Sequence, residues 1–121
     1  MSVFLNLPQA RIIFRGTNFF LIEDSYPISP GHILIISNKE KKDFFDLDEA
    51  ERKELPEMVH IAKRLIEAGH TPDGYNIGMN CGVAAGQTVM HFHCHVIPRY
   101  HGDMEDPKGG VRHCISGKGY Y

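Results

Sequence analysis

The feature that most constrains this chain is a row of three histidines at alternate positions near its C-terminal end. Successive side chains of a β-strand point to opposite faces, so alternate residues share a face. The pattern predicts a strand over residues 88–97 with the histidines on one face and apolar residues packed under the other. The histidines are His91, His93 and His95, and the apolar residues are Phe92, Cys94 and Val96.

Such a row of imidazoles suits three roles: a metal site, a nucleophile with supporting groups, or a polar ladder on a solvated sheet face. Same-face neighbours on a strand lie about 6.5–7 Å apart. Three of them converge on one ion only if the strand bends, because Zn–N bonds are about 2.0–2.1 Å. Two histidines plus an outside ligand keep the metal interpretation open. A neutral imidazole can instead attack phosphorus, and His93 is the natural nucleophile because His91 and His95 flank it.

The residues just before the histidine row offer hydrogen-bond donors of the kind that bind phosphate. Gly86 supplies a backbone N–H without a side chain, Gln87 an amide and Thr88 a hydroxyl. Such donors stabilise a phosphoryl group as charge develops on it. The same stretch also fits an ordinary loop, and Asn80 fits a turn residue unless the loop folds it toward the histidines.

Composition narrows the classes of partner. The 121 residues fit one domain covering 1–121, and the net charge of −2 gives no basic field for nucleic acid or an anionic membrane. The sequence contains no apolar run near the ~20 residues that span a bilayer, and its start lacks the pattern of a signal peptide. Three cysteines without a CxxC pair argue against a disulfide framework. We therefore expect a cytoplasmic protein with neither nucleic-acid nor membrane partners.

The remaining sequence predicts an α+β domain, an antiparallel sheet with one principal helix. Short apolar runs at 11–14 and 19–23 flank a turn and predict a hairpin. The run at 33–36 is almost wholly apolar, which is typical of a central strand buried on both faces. Helical spacing of apolar residues predicts a helix over 47–68.

Three further local features refine this prediction. Asp46 and Glu49 resemble a capping box at the start of the helix, and Pro56 is expected to kink or split it. Residues 75–80 alternate weakly and predict a strand. Residues 102–121 are rich in glycine and charge, and we expect an extended tail packed on the body or on a partner.

These residues together resemble a known family. The segment His-Phe-His-Cys-His-Val-Ile at 91–97 is similar to the signature of the histidine triad nucleotide hydrolases and transferases. Asn80 with Gly-Gln-Thr-Val at 86–89 resembles the family's approach to the triad. The loop at 24–32 resembles its ribose-side loop. The segment after the triad at 98–103 resembles the Fhit-like branch, which cleaves dinucleoside polyphosphates, and Asp24 resembles the Hint-like branch, which hydrolyses phosphoramidates.

The resemblance implies roles for individual residues. His93 attacks the α-phosphorus to form a nucleotidyl-histidine, His95 and His32 contact or orient the phosphate, and His91 holds the triad by hydrogen bonds. Asp24 accepts hydrogen bonds from the ribose. The predicted phosphate or leaving-group donors are Asn80, Gly86, Gln87 and Thr88, and the predicted walls of an apolar base slot are Ile22 and Leu34.

The resemblance also implies partners and cofactors. We expect a nucleotide substrate, with adenine as its base, and a homodimer. Nucleophilic catalysis by histidine requires no cofactor or metal, and no Asp/Glu cluster suited to Mg²⁺ stands beside the histidines in the sequence. Two alternatives stay open: a nucleotide-binding or sensing protein that uses the same pocket for signalling, and a metal-dependent hydrolase.

Overall fold

One open antiparallel sheet carries the histidines, and one helix packs on its opposite face. The computed structural model describes residues 2–121. The five strands lie in the order β1-β2-β3-β5-β4. The elements are β1 (Ile12–Arg15), β2 (Phe19–Glu23), β3 (Ile33–Ser37), α1 (Glu49–Glu67), β4 (Gly74–Gly78) and β5 (His93–Arg99). The predicted α+β class, hairpin and central strand are confirmed.

The central strand β3 organises the sheet. Its four apolar residues are at most 5% exposed, because β2 and β5 pair with its two edges and side chains cover both of its faces. One face packs on α1 through Ile33 and Ile35, together with Leu21 and Val96 of the neighbouring strands. We call this the helix face.

The opposite face carries the histidines, and we call it the histidine face. Leu34 is paired with His95, and Ile36 with His93, so these side chains point the same way. Phe20 and Ile22 of β2 join Leu34 and Ile36 in a second apolar cluster. The sheet thus places the histidine side chains beside an apolar cluster on the same face.

The principal helix begins two residues later than the predicted capping box requires. Asp48 is the N-cap: its side chain accepts from the Glu51 N–H at 2.9 Å, and the Glu51 carboxylate accepts from the Asp48 N–H at 2.8 Å. The predicted box of Asp46 and Glu49 is therefore wrong, because residues 44–46 form a separate short turn. Pro56 lies inside the helix on its exposed side and does not split it, since water can reach the carbonyl that lacks its usual donor.

The histidine strand and the tail also differ from prediction. Regular strand structure starts only at His93, so His91 precedes β5, although its neighbour Phe92 still packs on the helix face. The weak strand predicted over 75–80 is Gly74–Gly78. Residues 102–121, called the C-terminal unit below, fold into turns around a short 3-10 helix and do not extend. No helix within residues 2–121 has the length and apolarity needed to cross a bilayer.

The two candidate helix caps can be separated by mutation. We expect Asp48→Ala to lower the free energy of unfolding by about 1 kcal/mol, the usual cost of losing an N-cap. Asp46→Ala is the matched control, because Asp46 accepts only the Lys42 N–H at 3.2 Å and caps no long helix. Urea denaturation of both variants measures the difference. An Asp46→Ala loss equal to the Asp48→Ala loss would contradict the observed cap.

Candidate active site

Four histidines meet near the middle of the histidine face. His93 and His95 project from β5, and His32 directly precedes β3, the strand paired with β5. The ring centroids of His93 and His95 are 5.4 Å apart, and those of His32 and His95 are 5.2 Å apart. The sheet register therefore brings together three of the four predicted histidines as a contiguous group, with His91 buried beside them.

His91 fixes the neighbouring backbone and has no direct access to solvent. Its side chain is fully buried, and its Nε2–H donates to the Ser37 carbonyl at 2.7 Å. Burial lowers the pKa of His91, so the ring is neutral near pH 7. Its Nδ1 has no hydrogen-bond partner within residues 2–121. His91 thus anchors the start of the histidine row to the end of β3.

His93 has one ring nitrogen committed and one available. Its Nδ1 lies 2.8 Å from the His91 carbonyl oxygen, which can only accept a hydrogen bond. The proton of neutral His93 therefore sits on Nδ1, and Nε2 carries the lone pair. The ring of Phe4 meets His93 edge-on at 5.1 Å between centroids, which restricts the orientation of the imidazole further.

In His95 the proton lies on the other ring nitrogen, because a hydrogen bond with His32 fixes its position. The Ile28 N–H donates to His32 Nδ1 at 3.3 Å, so the proton of neutral His32 sits on Nε2. That Nε2 lies 2.9 Å from His95 Nδ1. His95 Nδ1 is then the acceptor, and its proton sits on Nε2. Two adjacent imidazoles on one face thus present a lone pair (His93) and an N–H (His95).

The electrostatic surroundings keep His32 and His95 neutral. Burial lowers the pKa of His32, with Asp24 opposing the shift. Burial, reinforced by the neighbouring histidines, lowers the pKa of His95 from 6.5 to about 4. Asp24 Oδ2 stands 3.4 Å from His32 Nε2 and 4.0 Å from His95 Nδ1. A neutral pair of histidines at pH 7 supports the proton positions assigned above.

The loop that carries Asp24 and His32 is fastened to the end of β5. The Ser29 hydroxyl donates to the Pro98 carbonyl at 2.7 Å, and the Tyr100 hydroxyl donates to the Pro30 carbonyl at 2.6 Å. Asp24 Oδ1 accepts the Tyr26 N–H at 2.8 Å, which leaves Oδ2 facing the histidines. The loop therefore holds its carboxylate at the site without help from a ligand.

The predicted phosphate-binding loop is only partly directed at the site. Asn80 and Gly86 line a cavity beside His95, whereas Thr88 is exposed and does not line it. The Gly86 N–H, predicted as a donor, bonds to the Val83 carbonyl at 2.9 Å. The predictions for the Gly86 N–H and for Thr88 therefore do not match this arrangement.

Gln87 differs most from its predicted role. It is 3% exposed, and its amide is fully used within the protein. Oε1 accepts the Gly82 N–H at 2.8 Å, and Nε2 donates to the Lys42 and Val89 carbonyls at 2.6 and 3.1 Å. The Phe92 N–H also bonds to the Lys41 carbonyl. Gln87 therefore ties the loop to Lys42, and it reaches a phosphate only if the loop opens.

The predicted base slot is on the expected face but is covered. Ile22 and Leu34 are 2% and 5% exposed, because the N-terminal segment packs over them through Phe4 and Leu7. They do not line the cavity beside His95. From the sequence, no role was predicted for Phe4 or Leu7. Their apolar composition was the available signal.

A second group that sequence reasoning missed comes from the C-terminal unit. A cavity of about 1290 Å³ lies beside His95, with Asp24, His32 and Asn80 among its walls. Val111, Cys114 and Ile115 form the wall contributed by the C-terminal unit. No local pattern in this glycine-rich stretch indicated that it folds back over the site.

Asp24, His32 and His95 are also the group best placed to hold a metal. Their facing atoms are 2.9, 3.4 and 4.0 Å apart, against about 3.3–3.4 Å between ligands of a tetrahedral zinc ion with bonds of ~2.05 Å. These distances fit a zinc ion, but the positions of the histidine protons do not. The Ile28 N–H occupies the lone pair of His32 Nδ1, which leaves a proton on the Nε2 that would bind the ion.

Fold and site together define a class: a small α+β domain whose open antiparallel sheet presents two adjacent histidines, one with Nδ1 bonded to a backbone carbonyl and the other with Nδ1 facing a third histidine. A family model described as the HIT domain matches residues 8–102. The chain belongs to the HIT, or histidine triad, family, as its sequence resemblance indicated.

Relatives agree with this assignment. The chain is 32% identical over 106 residues to the AP-4-A phosphorylase of Mycobacterium tuberculosis, a match over 83% of this chain and 54% of that protein. It is 39% identical over 80 residues to the asymmetrical bis(5'-nucleosyl)-tetraphosphatase of Schizosaccharomyces pombe, covering 66% of this chain and 44% of that protein. The chain thus spans about half the length of these curated relatives.

A solved structure supports the fold. The crystal structure of a Hit-like protein from Bartonella henselae, said to be involved in cell-cycle regulation, superposes with a TM-score of 0.73 at 26% identity. The match covers 80% of this chain and 73% of that chain. The sheet and helix described above therefore follow the architecture of known HIT proteins.

The lowered pKa of His95 predicts a pH-dependent stability. As pH falls from about 6.5 to about 4, an unfolded His95 takes up a proton that the folded protein refuses, so folding stability falls across this window. We expect His95→Asn to reduce the slope of melting temperature against pH in this range. His60→Asn, on the exposed side of α1, is the control. Parallel slopes for wild type and His95→Asn would contradict the assignment.

Proposed function

We propose that this chain is a nucleotide hydrolase that cleaves a bond at the α-phosphate through a covalent intermediate on His93. One observation carries the proposal: His93 presents a lone pair on Nε2 while the adjacent His95 presents an N–H on Nε2. A nucleophile beside a fixed hydrogen-bond donor is what displacement at phosphorus requires. The proton positions come from backbone contacts, so they exist before substrate binds.

The reaction has two displacements. His93 Nε2 attacks the α-phosphorus, a P–N bond forms, and the bond to the leaving group breaks with its electron pair. His95 Nε2–H hydrogen-bonds to an oxygen or to the leaving atom and stabilises the developing charge. Water then attacks the same phosphorus, the P–N bond breaks, and the nucleoside monophosphate leaves. The two protons of water end on the monophosphate and the leaving group, or in solvent, so the sum is hydrolysis.

The other site residues have supporting roles in this proposal. Asp24 Oδ2 accepts from the ribose hydroxyls, since it faces the cavity and is only partly engaged. The amide of Asn80 contacts phosphate oxygens from the same cavity. The adenine base lies against Ile22 and Leu34, which requires Phe4 and Leu7 to move aside or to form the opposite wall of the slot.

The bond we favour is a phosphoanhydride of the dinucleoside polyphosphate type. Two relatives support this choice, since their names describe an AP-4-A phosphorylase and a bis(5'-nucleosyl)-tetraphosphatase. A phosphate leaving group departs as an anion and needs no proton. That requirement suits a neutral His95, which can offer a hydrogen bond more readily than a proton.

A second candidate is hydrolysis of a nucleoside phosphoramidate. One observation favours it: within residues 2–121, no lysine or arginine lines the cavity beside His95. An oligophosphate leaving group would find no cationic partner there, whereas an amine-derived leaving group would not need one. A non-catalytic nucleotide sensor is the third candidate, and the prearranged proton positions argue against it.

We also propose a cytoplasmic homodimer. The strand β4 lies at one edge of the sheet, and unpaired strand edges are ready to pair with a second copy. Ile77 on this strand is 45% exposed and also lines the cavity beside His95, so such a contact would border that cavity. The three cysteines are free in the structure, which suits a reducing compartment.

Removal of the nucleophile tests the mechanism. We expect His93→Ala to reduce turnover at least about a thousandfold, in the range seen when a nucleophile is deleted, while nucleoside monophosphate binds with little change. Mass spectrometry of wild-type protein, denatured without acid during turnover, should detect a nucleotidyl adduct that the variant lacks. His60→Ala is the control. Normal turnover by His93→Ala would rule out this mechanism.

A side-by-side assay of two substrates shows whether the protein prefers a phosphoanhydride or a phosphoramidate bond. We expect purified protein to hydrolyse diadenosine tetraphosphate faster than adenosine 5′-phosphoramidate, as the relatives' names suggest. The protein is first treated with a chelator and desalted, and its activity should persist because attack by His93 needs no resident metal. Faster hydrolysis of the phosphoramidate would favour the second candidate. Loss of activity restored by zinc would favour a metal-dependent hydrolase.

A further inference from the structure

The two sides of the histidine pair have different surroundings. Toward β2 lies the apolar cluster of Ile22 and Leu34, covered by the N-terminal segment. Toward β4, at the far side of β5, lies the cavity lined by His95 and by the C-terminal unit. A molecule whose reacting phosphorus lies at His93 can therefore direct one half toward each region, with Asp24 beside His95 where the two regions meet.

The C-terminal unit is held firmly over this cavity. Gly110 packs on the strand β4, where an added Cβ would lie 3.3 Å from Asn76 Nδ2. Arg112 donates to the carbonyls of Gly119 and Lys118, both at 3.2 Å, and the Tyr120 hydroxyl donates to the Asp106 carbonyl at 2.9 Å. The unit is therefore folded through its own hydrogen bonds and contacts the sheet at Gly110.

The chemistry of that wall is apolar. Val111 and Ile115 are 66% and 60% exposed although they line the cavity, and Ile97 of β5 lines it with them. Large apolar side chains left open together commonly mark a binding surface. The absence of lysine and arginine from the cavity lining within residues 2–121 points to a group with little charge.

We propose that Val111 and Ile115 bind the distal apolar group of the substrate's leaving half, and so determine which leaving groups this chain accepts. In a dinucleoside polyphosphate that group is the second base, and in a substituted phosphoramidate it is the substituent on nitrogen. The shared chemistry is a ring carried at the far end of the leaving group. This inference rests on the proposed function, because it presumes cleavage at His93.

The test compares substrates that carry this ring with substrates that lack it; in the first pair the second ribose is lost together with the ring. One pair is diadenosine tetraphosphate and adenosine 5′-tetraphosphate, and the other is the N-phenyl and unsubstituted adenosine 5′-phosphoramidates. Intrinsic reactivity differs within each pair, but the ratio of variant to wild-type kcat/KM removes that difference. The two pairs separate a nucleobase from a substituent on nitrogen as the source of the ring.

We expect Ile115→Ala to lower kcat/KM about tenfold for the ring-bearing substrates, the scale of a lost apolar contact, and to leave their partners within about twofold. Val111→Ala should act in the same direction. Ile13→Ala is the matched control, because Ile13 is 38% exposed on β1 at the opposite edge of the sheet. Both cavity residues are largely exposed, so truncation should leave folding intact.

Each other outcome overturns the inference in a recognisable way. An equal loss for both members of a pair would mean that the cavity holds the common adenosine half. An equal loss together with a shift toward monomer in sedimentation would assign Ile115 to an interface between two copies. Unchanged kinetics would remove the inference while leaving the proposed function intact. No turnover of any substrate by wild-type protein would remove the proposed function and this inference with it.

Discussion

The pairing of β3 with β5 is the constraint on which the rest of the structure depends. β3 is buried on both faces, and its register sets Leu34 opposite His95 and Ile36 opposite His93. A slip of one residue would turn both histidines toward α1 and Cys94 toward solvent, because side chains alternate along a strand. Imidazoles would then be buried without partners, at a cost of roughly 2–7 kcal/mol each, which is comparable with the whole stability of a small domain. The same apolar packing that stabilises the fold therefore fixes the direction of the histidines.

Proton placement at the site depends mainly on the backbone. A carbonyl, that of His91, fixes the proton of His93 on Nδ1, and an amide, that of Ile28, fixes the proton of His32 on Nε2. The proton position of His95 is fixed indirectly, through its hydrogen bond with His32. A main-chain group cannot change its role as donor or acceptor, so the arrangement persists as long as the fold does. This is electrostatic preorganisation built into main-chain geometry.

The sequence allowed the two faces of the sheet to be predicted, because alternation at 91–97 and the apolar run at 33–36 are local patterns. The hydrogen bonds of Gln87 could not be predicted, since they depend on where residues 41–42 return to the loop. The helix start shows a similar limit. Asp46 with Glu49 and Asp48 with Glu51 both satisfy the capping pattern. Tertiary contacts favour the box of Asp48 and Glu51, because Glu51 is buried and lies 3.5 Å from Lys41 Nζ.

The covers over the histidine face come from the two ends of the chain. Phe4 and Leu7 precede the segment that matches the HIT domain, and Val111 and Ile115 follow it, since that match covers residues 8–102. The matched segment thus contains the groups proposed for chemistry and part of each proposed substrate wall, including Ile22, Leu34 and Ile97. The remaining part of each wall, from Phe4 and Leu7 and from Val111 and Ile115, lies outside it. A relative can then share the nucleophile and its supports without sharing the preferred substrate. Under the proposed function, differences in substrate preference between this chain and its relatives are therefore to be sought first in the terminal segments, and the reaction class in the sheet.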